Sequence, residues 1–175
     1  MNVLVADYAG GGLAGQNDGE IDNSYAYGDI TLSADGYGYI AGLVGTNDGT
    51  ITNSYASSIV TSSEGAEAVG GMVAENYGDV ENSFAVVSNT GPTPEDIYYV
   101  EWDYTQEGGA GDELSLEEAK ALATYSGASW NISGIAGENT IWRSYDGLAT
   151  PLLRGFLRPL TAEVQTATRQ YDAST

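Results

Sequence analysis

The chain contains no cysteine and no histidine. Disulfides, zinc fingers, iron–sulfur clusters, thiol nucleophiles and every imidazole-dependent dyad or triad are therefore excluded. Bases are scarce as well, five against 25 acids in 175 residues, for a formal net charge of −20. They are Lys120, Arg143, Arg154, Arg158 and Arg169, so residues 1–119 hold none. Nucleic acid is excluded as a partner, because binding it requires clustered Lys and Arg to neutralise phosphates. An anionic membrane surface would repel such a chain. No apolar run approaches the roughly 20 residues that span a bilayer, so no membrane insertion is expected. Only 4 Pro and 2 Phe occur, against 24 Gly and 13 Tyr. That balance favours short strands and many turns. The opening Met-Asn-Val-Leu-Val-Ala is too short for a signal peptide, which leaves a cytosolic chain or an excerpt carrying an added Met1. Acidity without cysteine suits a secreted bacterial protein.

What is present is an internal repeat. Gly12-Leu13-Ala14-Gly15 returns as Gly42-Leu43-Val44-Gly45 and as Gly71-Met72-Val73-Ala74. Asn17, Asn47 and Asn76 keep step, as do Gly19, Gly49 and Gly78. Each copy then continues as Ile21-x-Asn23-Ser24-Tyr25-Ala26, Ile51-x-Asn53-Ser54-Tyr55-Ala56 or Val80-x-Asn82-Ser83-Phe84-Ala85. No run has helical spacing, and each interior Gly costs a helix about 1 kcal/mol. Short strands and turns at a fixed period predict an all-β fold, a β-solenoid built as a right-handed parallel β-helix of about three coils. Rungs are expected about 4.8 Å apart. Leu13, Leu43 and Met72 are expected in one interior column, with Ile21, Ile51 and Val80 in a second. Tyr25, Tyr55 and Phe84 should form an aromatic column.

The Asn at 23, 53 and 82 has two readings. It stacks as an inward amide ladder, or it holds a turn by bonding local backbone. Asp22, Thr52 and Glu81 vary in polarity and should face water, as should Tyr27, Ser57 and Val86. The two sets have opposite parity, so alternation breaks between them. A bend within Asn-Ser-Tyr-Ala follows, with the Asn as its stabiliser.

These residues resemble the GLUG motif, a repeat named for its Gly-Leu-Val-Gly core. The pattern is complete in residues 42–56, and the resemblance covers about residues 1–91. It implies a place in large bacterial surface and secreted proteins. Examples are filamentous-haemagglutinin-like adhesins of two-partner secretion and some immunoglobulin A proteases. Val100-Glu101-Trp102-Asp103, Gly108-Gly109-Ala110-Gly111, Trp130-Asn131-Ile132 and Thr150-Pro151-Leu152-Leu153-Arg154 resemble the segment that ends such arrays. The tail from Arg158 resembles the start of a β-sandwich repeat, except that Tyr171-Asp172 is followed by Ala173. The expected organisation is a solenoid over 1–91, a C-terminal cap over 92–156 and a linker or following repeat over 157–175. Within the cap, Ser115 and Glu118 form a capping box. Leu116, Ala119, Leu122 and Ala123 then give one apolar face to a helix near 115–126. This helix and the Trp130/Trp142 region are expected to close the C-terminal end of the stack, where open strand edges would otherwise aggregate.

Motifs that suggest chemistry have simpler explanations. Gly10-x-Gly12-x-x-Gly15 reads as a dinucleotide fingerprint, but a turn follows it where a helix is required. Gly108-Gly109-Ala110-Gly111-Asp112 is a single copy, with Glu113 where a calcium nonapeptide needs Asp. Asp18, Glu20 and Asp22 alternate as calcium ligands do. The next repeat has Asp48, Thr50 and Thr52 there, so the cluster reads as a solvated acidic face. Paired carboxylates on a β-helix can cleave glycosides, though an acidic groove would repel polyuronates. Asn131-Ile132-Ser133 fits a glycosylation sequon. Tyr98, Tyr99, Trp102 and Tyr104 form the densest aromatic group. They offer flat faces to sugars, or pack in alternation beneath the cap.

The expectation is thus a non-enzymatic module of an extracellular or cell-surface bacterial adhesin, serving as stalk or as host-glycan or protein receptor. The alternative is an accessory domain of a secreted protease or polysaccharide-degrading enzyme. No catalytic residue, cofactor or metal is expected, and the fragment should be monomeric. Tyr99, Trp102 and Tyr104 are the candidate ligand surface.

Overall fold

The computed structural model describes residues 2–61, 66–87 and 112–158. Among these, eleven strands build a parallel β-helix of about three coils. They are β1 (Asn2–Gly11), β2 (Ala14–Asn17), β3 (Glu20–Asp22), β4 (Tyr25–Ala41), β5 (Val44–Asn47) and β6 (Thr50–Thr52). Then come β7 (Tyr55–Thr61), β8 (Ala66–Gly70), β9 (Val73–Asn76), β10 (Asp79–Glu81) and β11 (Phe84–Val87). The chain continues through β12 (Asp112–Ser115), α1 (Leu116–Lys120), α2 (Leu122–Gly127), β13 (Ile132–Ser133), β14 (Trp142–Tyr145) and β15 (Ala149–Leu153).

Three parallel sheets wrap each coil. The long one runs β1-β4-β7-β11-β12, with β8 also on β4, and the shorter ones run β2-β5-β9 and β3-β6-β10. Register follows the repeat: Asn17 pairs Asn47, which pairs Asn76. Likewise Ile21 meets Ile51 and then Val80, and Tyr25 meets Tyr55 and then Phe84.

The interior is thin. Leu43, Val44, Ile51, Met72 and Val73 fill it, together with Ala26, Ala56 and Ala85. Leu13 belongs to the same column but lies 48% exposed, because β2 is an edge of its sheet. The small residues set the coil's cross-section. A Cβ on Gly42 would clash with Gly71 O and lie 2.9 Å from Ala56 Cβ. The first Gly of the motif is thus the seat for the Ala of Ser-Tyr-Ala, and neither can grow. Gly42→Ala should cost about 1–3 kcal/mol through forced backbone shifts. Gly19→Ala, where nothing lies within 4 Å, should be neutral or slightly stabilising. Urea unfolding of the two variants side by side checks this; equal costs would refute the close-approach account.

Asn23, Asn53 and Asn82 all have left-handed backbone, with φ of 48°, 47° and 48°. Asn tolerates this conformation better than most residues. It forms the corner that reverses side-chain parity, so these positions hold the turn and not the ladder, though Asn23 and Asn53 bond the side chains of Asp22 and Trp142 rather than local backbone. The amide ladder stands elsewhere. Asn17 Nδ2 donates to Asn47 Oδ1 at 2.6 Å, and Asn47 Nδ2 to Asn76 Oδ1 at 2.6 Å. A serine ladder runs beside the corner. The amide of Ser24 donates to Ser54 Oγ, and that of Ser54 to Ser83 Oγ. Each hydroxyl then donates to the carbonyl two residues earlier.

Charge is distributed by rung. In the third sheet the edge strands carry Glu20 and Asp22, or Asp79 and Glu81, while the central strand carries Thr50 and Thr52. Like charges directly opposite one another destabilise a sheet, so acids cannot stack on three successive rungs. At the edges they discourage pairing with another chain.

Downstream of the coils the structure departs from the expected end cap. β12 does extend the long sheet, pairing Phe84 with Asp112 and Val86 with Leu114. The remainder packs along the flank. Because the corner flips parity, Tyr25, Tyr55 and Phe84 point out of the coil as an apolar stripe crossing three rungs. Tyr125, Trp130 and Trp142 cover that stripe. Val86, expected to face water, does leave the coil but is buried beneath this cover, whereas Tyr27 remains 71% exposed. The single expected helix is two. Its capping box forms as expected at Ser115 and Glu118, but Ala121 is extended. The β14–β15 turn splits it, since Gly147 N donates to Lys120 O and Asp146 Oδ1 accepts from Leu122 N.

Candidate functional site

The corner of each repeat doubles as a docking point. Trp142 Nε1 donates to Asn23 Oδ1 at 2.9 Å in the first coil. The Tyr55 hydroxyl of the second donates to Pro151 O at 2.8 Å. In the third, Asn82 O accepts from Trp130 Nε1 at 2.7 Å. Between these polar ties the rings pack closely. Tyr25 and Tyr55 stack at 5.4 Å, Trp130 and Trp142 lie 4.9 Å apart, and Phe84 meets Tyr125 edge-on at 5.5 Å. Burial pushes the Tyr55 phenol up to about 12 and raises that of Tyr125 as well. Both stay neutral at physiological pH and act as packing groups.

The acids of the first repeat are partly committed. Asp22 Oδ1 accepts from Thr52 Oγ1 at 2.8 Å and from Asn53 Nδ2 at 3.1 Å. Its other oxygen accepts from Asn23 Nδ2 at 2.6 Å. Slight burial raises its pKa, but the bonds from Asn53, Thr52 and Asn23 outweigh that and leave it below the usual carboxylate value. A depressed folded pKa adds stability above the unfolded value, which is lost as pH falls through the folded one. Asn53→Ala should therefore raise the Asp22 midpoint in a carboxylate NMR titration. An unchanged midpoint would show that these bonds do not hold the charge. No group of three or more acids with metal-ligand geometry occurs among the described residues.

Tyr99, Trp102 and Tyr104 lie outside the described residues, so the aromatic surface expected there is not placed. The described surface with most chemical character is the outer face of β13–β14–β15. β14 pairs in parallel with β13 (Ser133 beside Arg143) and antiparallel with β15 (Arg143 opposite Leu152). Trp142 and Leu153 form the inner pair, against the aromatic stripe. Arg143 therefore takes the opposite, outer face. Arg154, the first residue of a 3-10 turn (Arg154–Phe156) that follows β15, donates its N–H to Ile141 O at 2.9 Å, which holds it beside the start of β14 and near Arg143. The Arg143 guanidinium lies 5.1 Å from the Tyr145 ring centroid. Nη1 of Arg143 and Nη1 of Arg154 are both buried without a hydrogen-bond partner. Sequence reasoning passed these residues over. The available signal was scarcity: three of the chain's five bases, Arg143, Arg154 and Arg158, fall close together.

The GLUG motif matches residues 6–31. That span holds the first corner, the first rung of the amide ladder and the seat glycine Gly12. The second and third copies stack on this span in register, as the pairing of Ile21 with Ile51 and Val80 shows. No curated protein and no solved structure matches the chain.

Proposed function

We propose that the chain is a non-enzymatic structural and adhesive module of a bacterial extracellular adhesin, acting at the cell surface or outside the cell. The carrying observation is how the recurrent GLUG residues are used. Asn17, Asn47 and Asn76 are joined in the amide ladder. Ser24, Ser54 and Ser83 form the hydroxyl ladder. Tyr25, Tyr55 and Phe84 pack against the flank cover. The repeat thus spends its functional groups on stiffness, which suits a part that adds reach or presents a surface. The GLUG match supports an extracellular repeat module. The adhesin setting and the two-partner route of export follow from the wider resemblance.

The test is binding of the full chain to a panel of glycans and extracellular-matrix proteins, beside a Tyr99→Ala/Trp102→Ala/Tyr104→Ala variant. Saturable binding lost in the variant makes this a recognition module read by those rings. Silence from folded protein makes it a stalk. Turnover of any polysaccharide or peptide by the purified chain would overturn the non-enzymatic reading.

A further inference from the structure

We propose that Arg143, Arg154 and Tyr145 form a binding site for the carboxylate of an acidic sugar, on the outer face of β13–β14–β15. The first ground is charge. Among the described residues the one ion pair is Lys120 with Glu117, at 3.2 Å. In a chain of 25 acids, neither guanidinium has taken a carboxylate partner there, and each keeps an unsatisfied buried Nη1. Buried donors without partners are rare in folded proteins, and each calls for an explanation. The nearest acid in sequence, Asp146, is turned away and caps α2 through Leu122 N.

The second ground is geometry. Arg143 pairs with Leu152, and Arg154 follows two residues on, at the turn just beyond β15, tied to Ile141 O. Positions so close on neighbouring strand ends are within reach of long side chains. Two like charges so placed repel, and a single anion between them relieves both. Guanidinium favours planar, two-oxygen anions, since its fork matches a carboxylate. Both residues are partly exposed; because each Nη1 is itself closed to solvent, an incoming carboxylate would meet the other nitrogens of each guanidinium.

The third ground is the ring. Tyr145 is 41% exposed and Arg143 stacks against it. An aromatic face beside a carboxylate fork suits a sugar acid better than a bare anion. The strongly negative chain would repel a free anion at long range, so binding there must come from these local contacts. The site does not depend on the adhesive reading, because a stalk and a receptor can equally carry it.

The experiment titrates the full chain with glucuronate, glucose, acetate and a glutamate-containing peptide, following the arginine Nε–Hε and Tyr145 ring resonances by NMR. Glucuronate is expected to shift both arginines and the ring saturably, and glucose to shift neither. Arg154→Gln should weaken glucuronate binding about tenfold or more, as expected for losing a charge-assisted pair. Arg143→Lys keeps the charge but loses the fork, and should weaken it by less. Unchanged amide spectra in both variants would show that the fold is intact. No saturable shift with glucuronate overturns the site. Acetate binding as tightly as glucuronate, or tighter binding of the peptide, overturns the assignment to a sugar acid.

Discussion

Asn47→Asp should destabilise the protein by about 3–5 kcal/mol at pH 7, the range for an uncompensated buried charge, and much less at pH 4. Asn47 is fully buried. Its Oδ1 accepts from Asn17, and its Nδ2 donates to Asn76 Oδ1 and to Gly49 O. A carboxylate here would face Asn76 Oδ1 and Gly49 O with no hydrogen to give, and would be charged inside a dry coil. Burial disfavours the charged form, so the folded pKa of the introduced carboxyl must rise above its unfolded value of about 3.9. The sign follows from proton uptake. Between the unfolded and folded pKa values the native state binds more protons, so the variant loses stability as pH rises. The loss relative to the parent should grow by about 1.4 kcal/mol per pH unit from about pH 4, then level off above the folded pKa. Below pH 4 the protonated acid still donates one bond, leaving a cost of about 1 kcal/mol for the other. Asn47→Leu is the control. It breaks the ladder on both sides without adding a titrating group, so its cost should not vary with pH relative to the parent. Urea unfolding from pH 4 to 8 separates the two. A pH-independent cost for Asn47→Asp would mean that the position is wet and the ladder contributes little.

The position of the ladder was partly legible in the sequence. Copies offset by 30 and 29 residues set the register of the two short sheets and of the Tyr25–Tyr55–Phe84 row, because parallel coils stack like on like; among the coils the register slips only in the long sheet, within β1–β4 and β4–β8. The offset between Asn17, Asn47 and Asn76 is therefore the pairing found in the second sheet. The bend at Asn23, Asn53 and Asn82 was legible too, from the clash of parity on its two sides. Two columns of Asn recur, however, and the repeat alone does not say which is the ladder. That depends on backbone hand at the corner: φ of 47° turns Asn53 outward, where its amide meets Asp22 across the rung. The same turn sends Tyr55 out of the coil, so the aromatic stripe and its cover were hidden for one reason. The break at Ala121 was invisible as well. It is imposed by Asp146 and Gly147, far downstream in the chain, and a capping box announces only where a helix begins. Arg143 and Arg154 carry no motif. They stand out only once the β14–β15 pairing and the turn that follows it bring them near one another.

The flank cover has a keystone, and its removal should have the other large effect. Trp142→Ala should cost about 3–5 kcal/mol, the range for truncating a buried tryptophan. That is a large share of the roughly 5–15 kcal/mol that typically holds a domain. Trp142 is fully buried, with Tyr25 at 6.0 Å, Tyr55 at 5.9 Å and Trp130 at 4.9 Å. It reaches the first coil through Asn23, while Trp130 holds the third through Asn82. Trp142→Phe keeps a ring and loses the indole N–H, so it should cost about 1–2 kcal/mol, part for the bond and part for volume. The distribution of the loss matters more than its size. The second and third sheets are held by their own ladders, and their core cluster includes no residue from the flank cover. Hydrogen exchange on Trp142→Ala should therefore show amides of residues 112–158 opening while those of β5 and β6 stay protected, as separate cooperative units do. If β5 and β6 lose protection to the same degree, the coils depend on their cover. The flank would then be part of the solenoid's folding unit, and coils this thin would need such a cover to stand.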